Sequence, residues 1–275
     1  MPVKTANIRV NDLGLLRGYG IFDFFPVQSG FPVFQEEYFS RFFHSAARIR
    51  LEPPVDSKGL EERVIRLIKA NDCPTGFVKL VLTGGFTPDG YSPGRSNLFI
   101  MMHPPLADEL ALEKGVKVLL YKFLRWNPDV KSLNYANVLK HREILQKSEA
   151  LDLLYHDGRR ISETSRGNFF IVNQQNELVT APFNILFGIT RGKVLEIAAG
   201  IMPVKESFIN IEDILTAREA FITSTSKSVL PVVQIDSWTI GDGRPGSVSN
   251  KLKQLFQKTV LDYIHSRVKE VSTPS

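Results

Sequence analysis

Apolar residues recur at two spacings in the first hundred residues, and each spacing predicts a different element. Apolar positions surround Ser29-Gly30 in a pattern typical of two strands joined by a tight turn. Further along, Phe39, Phe42 and Ala46 share one side of a helix. The predicted elements are strands at residues 21–27 and 31–34, helices at 36–51 and 60–71, and strands at 76–83 and 97–102, the last two separated by a turn-rich loop at 84–96.

The second part of the chain also mixes strands and helices, but without regular alternation. Its predicted strands lie at residues 116–121, 153–155, 160–161, 168–172 and 219–223, and its predicted helices at 134–148, 190–199, 211–217 and 246–270. Hairpins are frequent along both parts. This pattern favours an α+β or mixed α/β fold over a doubly wound parallel sheet.

One segment interrupts the apolar pattern and predicts a domain boundary. Residues 104–113 carry two prolines and several charges between apolar strands, as interdomain linkers often do. We therefore expect a smaller N-terminal α/β domain at residues 1–103 and a larger C-terminal domain at residues 114–275.

Composition narrows the class of protein. Of 275 residues 43% are apolar, no apolar run approaches the roughly 20 residues that span a bilayer, and the N-terminus has no apolar signal core. These features predict a cytoplasmic protein that binds no membrane. The single cysteine, Cys73, excludes a disulfide framework within the chain, and the five histidines lack a metal-ligand spacing, so we expect no metal site. The net charge of +5 is mild and dispersed, so we expect no nucleic-acid partner.

Two segments could hold a phosphate group. A helix N-terminus attracts anions through free N–H groups and the helix dipole, and Gly188, Ile189 and Thr190 stand at such a start. Residues 223–226 place four hydroxyl side chains directly after an apolar strand. Taken alone, each segment fits an ordinary helix cap or a polar loop better.

Lys131 and Glu163 are the two charged residues that could carry chemistry. Lys131 lies between apolar residues just before a predicted helix, and burial would lower the pKa of its amine and make it a nucleophile or base. Glu163 lies in a polar, glycine-containing segment that leads into an apolar strand. A surface lysine in a loop and a capping or surface carboxylate are the plainer alternatives.

Together these segments resemble the fold-type IV pyridoxal 5′-phosphate (PLP) enzymes, the class-IV aminotransferase family. The family includes branched-chain and D-amino-acid aminotransferases and 4-amino-4-deoxychorismate lyases. The matching motifs follow one another from about residue 12 to about residue 236: RGYGIFD at 17–23, YFSRF at 38–42, KSLN at 131–134, ETSRGNFF at 163–170, GITR at 188–191 and FITSTS at 221–226. The resemblance implies a two-domain fold like that of D-amino-acid aminotransferase.

The resemblance also implies roles for individual residues. Lys131 would form the Schiff base with PLP and move a proton between the substrate and the cofactor. Glu163 would keep the pyridine nitrogen protonated. The phosphate would be held by the residues that match the family's phosphate-binding motifs, namely Arg41, Ile189, Thr190, Ser224 and Thr225. The connection before Gly188 is about one residue shorter than the family pattern, which we interpret as a loop variation.

The substrate pocket departs from each subgroup of the family. Phe22 stands where D-amino-acid enzymes often use a tyrosine, and it is a candidate substrate contact. The arginine–histidine pair that binds the substrate carboxylate in those enzymes has no clean equivalent. Arg95 in the 84–96 loop is a candidate carboxylate binder, or a solvated loop arginine.

We expect a transaminase that exchanges an amino group between an amino acid and a 2-oxo acid. A PLP-dependent lyase of the 4-amino-4-deoxychorismate type is the alternative, since both would use Lys131 and Glu163. A non-catalytic protein on the same scaffold is a third possibility, against which the intact Lys131, Glu163 and Arg41 argue. The resemblance further implies a homodimer. The amino acid, its stereochemistry and the pathway stay open.

Overall fold

The computed structural model describes residues 3–105 and 113–272, and it divides them into two compact units. The first unit contains the described residues up to 105 together with Val130–Tyr135, and the second contains the rest. Most of the predicted linker at residues 104–113 lies outside the described residues.

The first unit is built on a four-stranded antiparallel sheet. Its strands are β1 (Gly20–Gln28), β2 (Phe31–Pro32), β3 (Gly76–Thr83) and β4 (Asn97–His103), in the order β2-β1-β3-β4. The predicted hairpin is confirmed at β1 and β2. Ser29 and Gly30 both adopt positive φ, of 54° and 81°, as the tight turn between two antiparallel strands requires.

Three α-helices and a short 3₁₀ turn (Val3–Thr5) complete this unit: α1 (Leu13–Arg17), α2 (Gln35–Arg48) and α3 (Ser57–Asn71). Helix α2 packs on β1 through the predicted apolar side, where Phe39 and Phe42 are buried. Phe25 of β1 meets Phe39 edge-on, with ring centroids 5.8 Å apart. Burial therefore alternates along β1, and Phe22 and Phe24 lie on its half-buried face.

The segment that carries Lys131 belongs to the first unit, which differs from the predicted division at residues 104–113. The N–H of Phe22 donates to the carbonyl of Lys131 at 2.9 Å, and the N–H of Leu133 donates to the carbonyl of Gly20 at 3.0 Å. These bonds attach the segment to the free part of β1. A reading of local composition cannot detect such a return of the chain.

The second unit contains ten strands and five helices among the described residues. The strands are β5 (Val116–Lys122), β6 (Ala150–His156), β7 (Arg160–Thr164), β8 (Asn168–Val172), β9 (Leu178–Thr180), β10 (Val204–Glu206), β11 (Ile209–Asn210), β12 (Glu219–Ser224), β13 (Ser228–Ile235) and β14 (Trp238–Thr239). The helices are α4 (Ala136–Leu139), α5 (Arg142–Lys147), α6 (Ile189–Ala199), α7 (Ile211–Thr216) and α8 (Ser247–Ser272).

Six of these strands close on themselves. The sheet order is β10-β9-β8-β12-β13-β5-β6-β7-β11, and β7 also pairs with β8 at Glu163 and Asn168. The ring β8-β12-β13-β5-β6-β7 encloses an apolar core that includes Val118, Phe169 and Ile222. Glu163 on β7 and the end of β12 are thus positioned by the two strands that flank β8 in this ring.

Two predictions of local structure are wrong in this unit. The helix predicted at 134–148 is broken into α4 and α5, because the chain turns at residues 140–141, where the ring Nδ1 of His141 lies 2.7 Å from the carbonyl oxygen of Asn137. Strands β9, β10, β11, β13 and β14 were not predicted, although β13 pairs with both β12 and β5. Strand β13 contains Pro231, a residue that argues against a central strand in sequence.

The remaining predicted helices and strands are present with shifts of a few residues at their ends, and the mixed α+β class is confirmed. None of the described helices is both long and apolar enough to cross a membrane.

Candidate active site

The predicted site residues fall into two groups, one in each unit. Phe22, Arg41, Arg95 and Lys131 belong to the first unit, and Glu163, Ile189, Thr190, Ser224 and Thr225 belong to the second.

Lys131 is held at its backbone and lies beside aromatic rings. Its N–H donates to the hydroxyl of Ser45 at 3.3 Å, and its carbonyl accepts from Phe22. Its Nζ lies 4.7 Å from the centre of the Phe22 ring, and Tyr135 meets the same ring edge-on at 5.6 Å. The half-buried amine therefore stands over a ring face, which attracts its cationic form.

Arg41 is buried and paired with a carboxylate that the sequence analysis did not identify. Its Nε and Nη2 donate to Asp23 at 3.0 and 2.6 Å, and Asp23 is fully buried. Burial disfavours the charged guanidinium, but the charge and hydrogen bonds of Asp23 outweigh it, so the pKa of Arg41 is raised above its usual value. Within the described residues Nη1 makes no hydrogen bond, which leaves its two N–H groups for an anion.

Arg95 is exposed in the loop between β3 and β4. Its side chain has no hydrogen-bonding partner in the part of the chain that the structure describes. The structure thus gives no contact that brings Arg95 to Phe22 or Lys131.

Glu163 at the end of β7 is the most tightly held of the predicted residues. It is 3% exposed, its Oε2 accepts from the N–H of Leu186 at 2.9 Å, and its Oε1 accepts from Nη1 of Arg125 at 2.9 Å. Arg125 was not predicted as a site residue, because no spacing rule connects residues 38 positions apart.

Ile189 and Thr190 begin helix α6, and the cap residue before them is Gly188. No side chain caps this helix start, so the N–H groups of its first turn remain available to an anion. A Cβ at Gly188 would collide with Oδ1 of Asn168, so any larger residue here would displace the Asn168 side chain. Asn168 itself donates to the carbonyl of Leu186 at 2.7 Å and fixes the chain that leads into the helix.

Ser224 and Thr225 lie where β12 turns into β13, and both are half-buried. The preceding hydroxyl, Oγ1 of Thr223, is buried without a hydrogen-bonding partner among the described residues. A buried hydroxyl of this kind needs a partner. The turn therefore offers hydroxyl groups at a place where a phosphate could satisfy them.

The family model for class IV aminotransferases matches residues 20–235, which include both groups of candidate residues. The chain belongs to the class IV aminotransferases. It is therefore a PLP-dependent transaminase, an enzyme that moves amino groups between amino acids and 2-oxo acids.

Two curated relatives resemble this class IV aminotransferase over most of its length. The D-alanine aminotransferase of Staphylococcus epidermidis is 30% identical over 94% of this chain and 95% of its own. A putative branched-chain-amino-acid aminotransferase of Methanocaldococcus jannaschii is 31% identical over 92% of this chain and 91% of its own.

Solved structures show the same fold. The branched-chain amino acid aminotransferase of Escherichia coli superposes with a TM-score of 0.86 at 23% identity, covering 94% of this chain and 91% of its own. A putative 4-amino-4-deoxychorismate lyase from Legionella pneumophila superposes with a TM-score of 0.84 at 22% identity, covering 93% and 96%. The predicted fold-type IV architecture is confirmed.

The residues of this class IV aminotransferase fit PLP. The uncapped start of α6 and the partnerless Thr223 hydroxyl, both among the described residues, suit a phosphate, and the buried Glu163 carboxylate suits a protonated ring nitrogen.

Proposed function

We propose that Lys131 carries the cofactor and moves the proton in the transamination reaction. Its backbone is fixed on both sides by Ser45 and Phe22, whereas its amine contacts an aromatic ring. A fixed backbone with a long, rotatable side chain lets one amine reach more than one atom in turn. Lys131 can then accept a proton at Nζ from the substrate carbon and donate it to the cofactor.

PLP, when bound, supplies the electron sink that stabilises negative charge at the substrate carbon. In this proposal Glu163 would accept from the ring nitrogen of PLP and would favour its protonated form. Arg125 and the Leu186 N–H hold Glu163 as an oriented anion. That held carboxylate is the observation that carries the proposal, since a buried charge with two fixed donors suits a positively charged partner.

The phosphate would be held by donors from the start of α6 and from the β12–β13 turn. These are the N–H of Ile189, the N–H and hydroxyl of Thr190, and the hydroxyls of Ser224 and Thr225. Arg41 would add its remaining Nη1. Its pairing with Asp23 keeps the guanidinium in one orientation, so that the two Nη1 N–H groups are held in place.

An absorbance experiment tests this proposal. The purified enzyme should be yellow, an amino acid should bleach the colour, and a 2-oxo acid should restore it. The panel should contain both enantiomers of alanine and of the branched-chain amino acids. The reason is that a D-alanine aminotransferase and a putative branched-chain-amino-acid aminotransferase are about equally similar to this chain. A colourless protein that stays colourless after incubation with PLP would refute the role of Lys131.

A lyase is the second candidate, because the fold of a solved lyase is similarly close. It needs no 2-oxo acid acceptor. If amino acids leave the yellow colour unchanged while an aminodeoxychorismate-type substrate is cleaved, the lyase reaction replaces transamination.

We further propose that substrate side chains pack on Phe22, that the enzyme is a homodimer and that it is cytoplasmic. Phe22 supports the first point through its place beside the Lys131 amine. The lone cysteine, Cys73, is free and suits a reducing compartment. Sedimentation of the holoenzyme tests the dimer.

A further inference from the structure

A pocket lined by charged, hydroxyl and apolar residues lies at the ends of β7, β8 and β12 in the second unit. Its empty space is about 320 Å³, including the open mouth. Two cations and three hydroxyls are among its lining residues, which include Thr164, Arg166, Gly167, Ser224, Ser226 and Lys227. The pocket thus borders both the turn that follows Glu163 and the turn proposed to hold the phosphate.

Arg166 is the fixed cation of this pocket. Its Nε is 3.4 Å from Oδ2 of Asp152, and its Nη2 donates to the carbonyl of Leu151 at 2.9 Å. Nη1 makes no hydrogen bond to the described residues, and the side chain is 52% exposed. The guanidinium is therefore held through Nε and Nη2, while Nη1 can bind a ligand.

Asp152, the residue that holds Arg166, is itself held by hydrogen bonds from other residues. Asp152 is 2% exposed, and its Oδ1 accepts from the hydroxyl of Ser165 and from the N–H of Leu153 at 2.8 Å. These donors hold the carboxylate so that its other oxygen faces Arg166. A chain of Ser165, Asp152 and Arg166 then presents a preorganised cation.

We propose that Arg166 binds the carboxylate of the substrate, an inference that rests on the proposed transaminase function. Amino acids and 2-oxo acids both carry a carboxylate, and a planar guanidinium matches it. Arg166 stands three residues after Glu163 and shares the pocket with Ser224, so the carboxylate would lie beside the proposed cofactor residues. Asp152 is a positioning residue that acts through Arg166, and Arg95 is not required.

Steady-state kinetics of Arg166→Gln test the proposal. Loss of a charge-assisted hydrogen bond should raise KM for alanine by ~10- to 100-fold with little change in kcat. Alaninamide, which lacks the carboxylate, should be unaffected. Arg267→Gln is the matched control, because it removes an equal charge from the same unit, where Arg267 pairs with Glu270 on α8.

A binding measurement separates this inference from catalysis. Calorimetric titration of the holoenzyme with 4-methylvalerate, which has no amino group to react, should show that Arg166→Gln lowers its affinity to that of the neutral 4-methylvaleramide. Glutamate distinguishes two sources of the carboxylate. If only glutamate and 2-oxoglutarate lose affinity, Arg166 binds the side-chain carboxylate rather than the one shared by all substrates, and the proposal is overturned.

The Asp152→Asn variant tests whether Asp152 positions Arg166. It should raise KM less than Arg166→Gln does, and the double variant should resemble Arg166→Gln alone, because Asp152 acts through the arginine. Additive losses would show that Asp152 has a separate role.

Three further results with Arg166→Gln would overturn the proposal. The first is that neither KM for alanine nor the affinity for 4-methylvalerate changes. The others are that KM rises equally for alanine and alaninamide, or that the variant loses its PLP absorbance. If the wild type itself has no PLP absorbance and reacts with no amino acid, the proposed function fails instead. In that case a 4-methylvalerate titration of the protein without PLP still reports on Arg166.

Discussion

The candidate residues of the two units differ in what holds them. Around Lys131 an aromatic ring lies beside the amine, and hydrogen bonds fix the backbone. Around Glu163 both side-chain oxygens are fixed by a guanidinium and a backbone N–H. A group that moves protons needs rotational freedom, whereas a group that stabilises a charge needs a fixed direction. Substitutions in the two groups should therefore have different effects on activity and on cofactor binding.

Lys131→Ala should have the largest effect. Removing the proposed carrier of the cofactor and of the proton should lower the transamination rate at least ~10³-fold and abolish the absorbance of covalently bound PLP. Lys147→Ala is the control, since Lys147 is 74% exposed and pairs with Glu143 on α5. Reduction with borohydride and mass spectrometry would locate the modified residue, and a modified lysine other than 131 would contradict the assignment.

Glu163→Gln should have the next largest effect, and it should spare cofactor binding. The side chain keeps its size but loses the charge, so kcat should fall by ~10²- to 10³-fold while PLP stays bound. Arg125→Gln should lower kcat less, because Leu186 still orients the carboxylate. Glu177→Gln, which breaks an ion pair with Lys205 elsewhere in the unit, is the control. An unchanged kcat would remove Glu163 from the mechanism.

Thr190→Val should affect cofactor affinity rather than turnover. The hydroxyl is lost from a buried position at the start of α6, while the backbone N–H groups remain. We expect the dissociation constant for PLP to rise by ~10- to 100-fold, with kcat nearly unchanged at saturating PLP. Fluorescence titration of the apoenzyme measures this, with Thr239→Val on the exposed end of β14 as the control. A kcat defect at saturating PLP would contradict a purely binding role.

Asp89→Ala should have the smallest effect, confined to the loop that carries Arg95. Asp89 accepts hydrogen bonds from the hydroxyl and N–H of Ser92 and from the N–H of Tyr91, which hold the pKa of its carboxyl well below the usual range. The loop order that these bonds supply is present above the ordinary pKa of an aspartate and is lost as pH falls through the lowered value. The variant should speed amide exchange in residues 84–96 at neutral pH.

KM for alanine should not change in Asp89→Ala if Arg166, rather than Arg95, binds the carboxylate. An increase in KM comparable with that of Arg166→Gln would return Arg95 to the site.

Local sequence patterns predicted the parts of the fold whose causes are local. The Ser29-Gly30 turn, the apolar side of α2 and the start of α6 at Gly188 each follow from a few neighbouring residues. Lys131 and Glu163 were candidates from their local surroundings alone, and their roles were predicted from the resemblance of their motifs to those of a known family.

Contacts between residues distant in sequence could not be predicted. Asp23 and Arg41 meet because β1 and α2 pack together, and Arg125 meets Glu163 across 38 positions. Strand β13 was missed because Pro231 weakens its local pattern, while its pairing with two neighbouring strands supplies the stability. In each case the stabilising partner is too far away in sequence for a local hydrophobic pattern to include it.

The return of Val130–Tyr135 to β1 sets an order of events during synthesis of the protein. A nascent chain that ends at residue 105 has all four strands of the first sheet, but the N–H of Phe22 and the carbonyl of Gly20 still lack their partners. Those partners emerge from the ribosome only after the first strand of the second unit, β5. The first unit therefore cannot finish folding before part of the second has been translated, and a truncation at the apparent boundary would leave an exposed strand edge prone to aggregation.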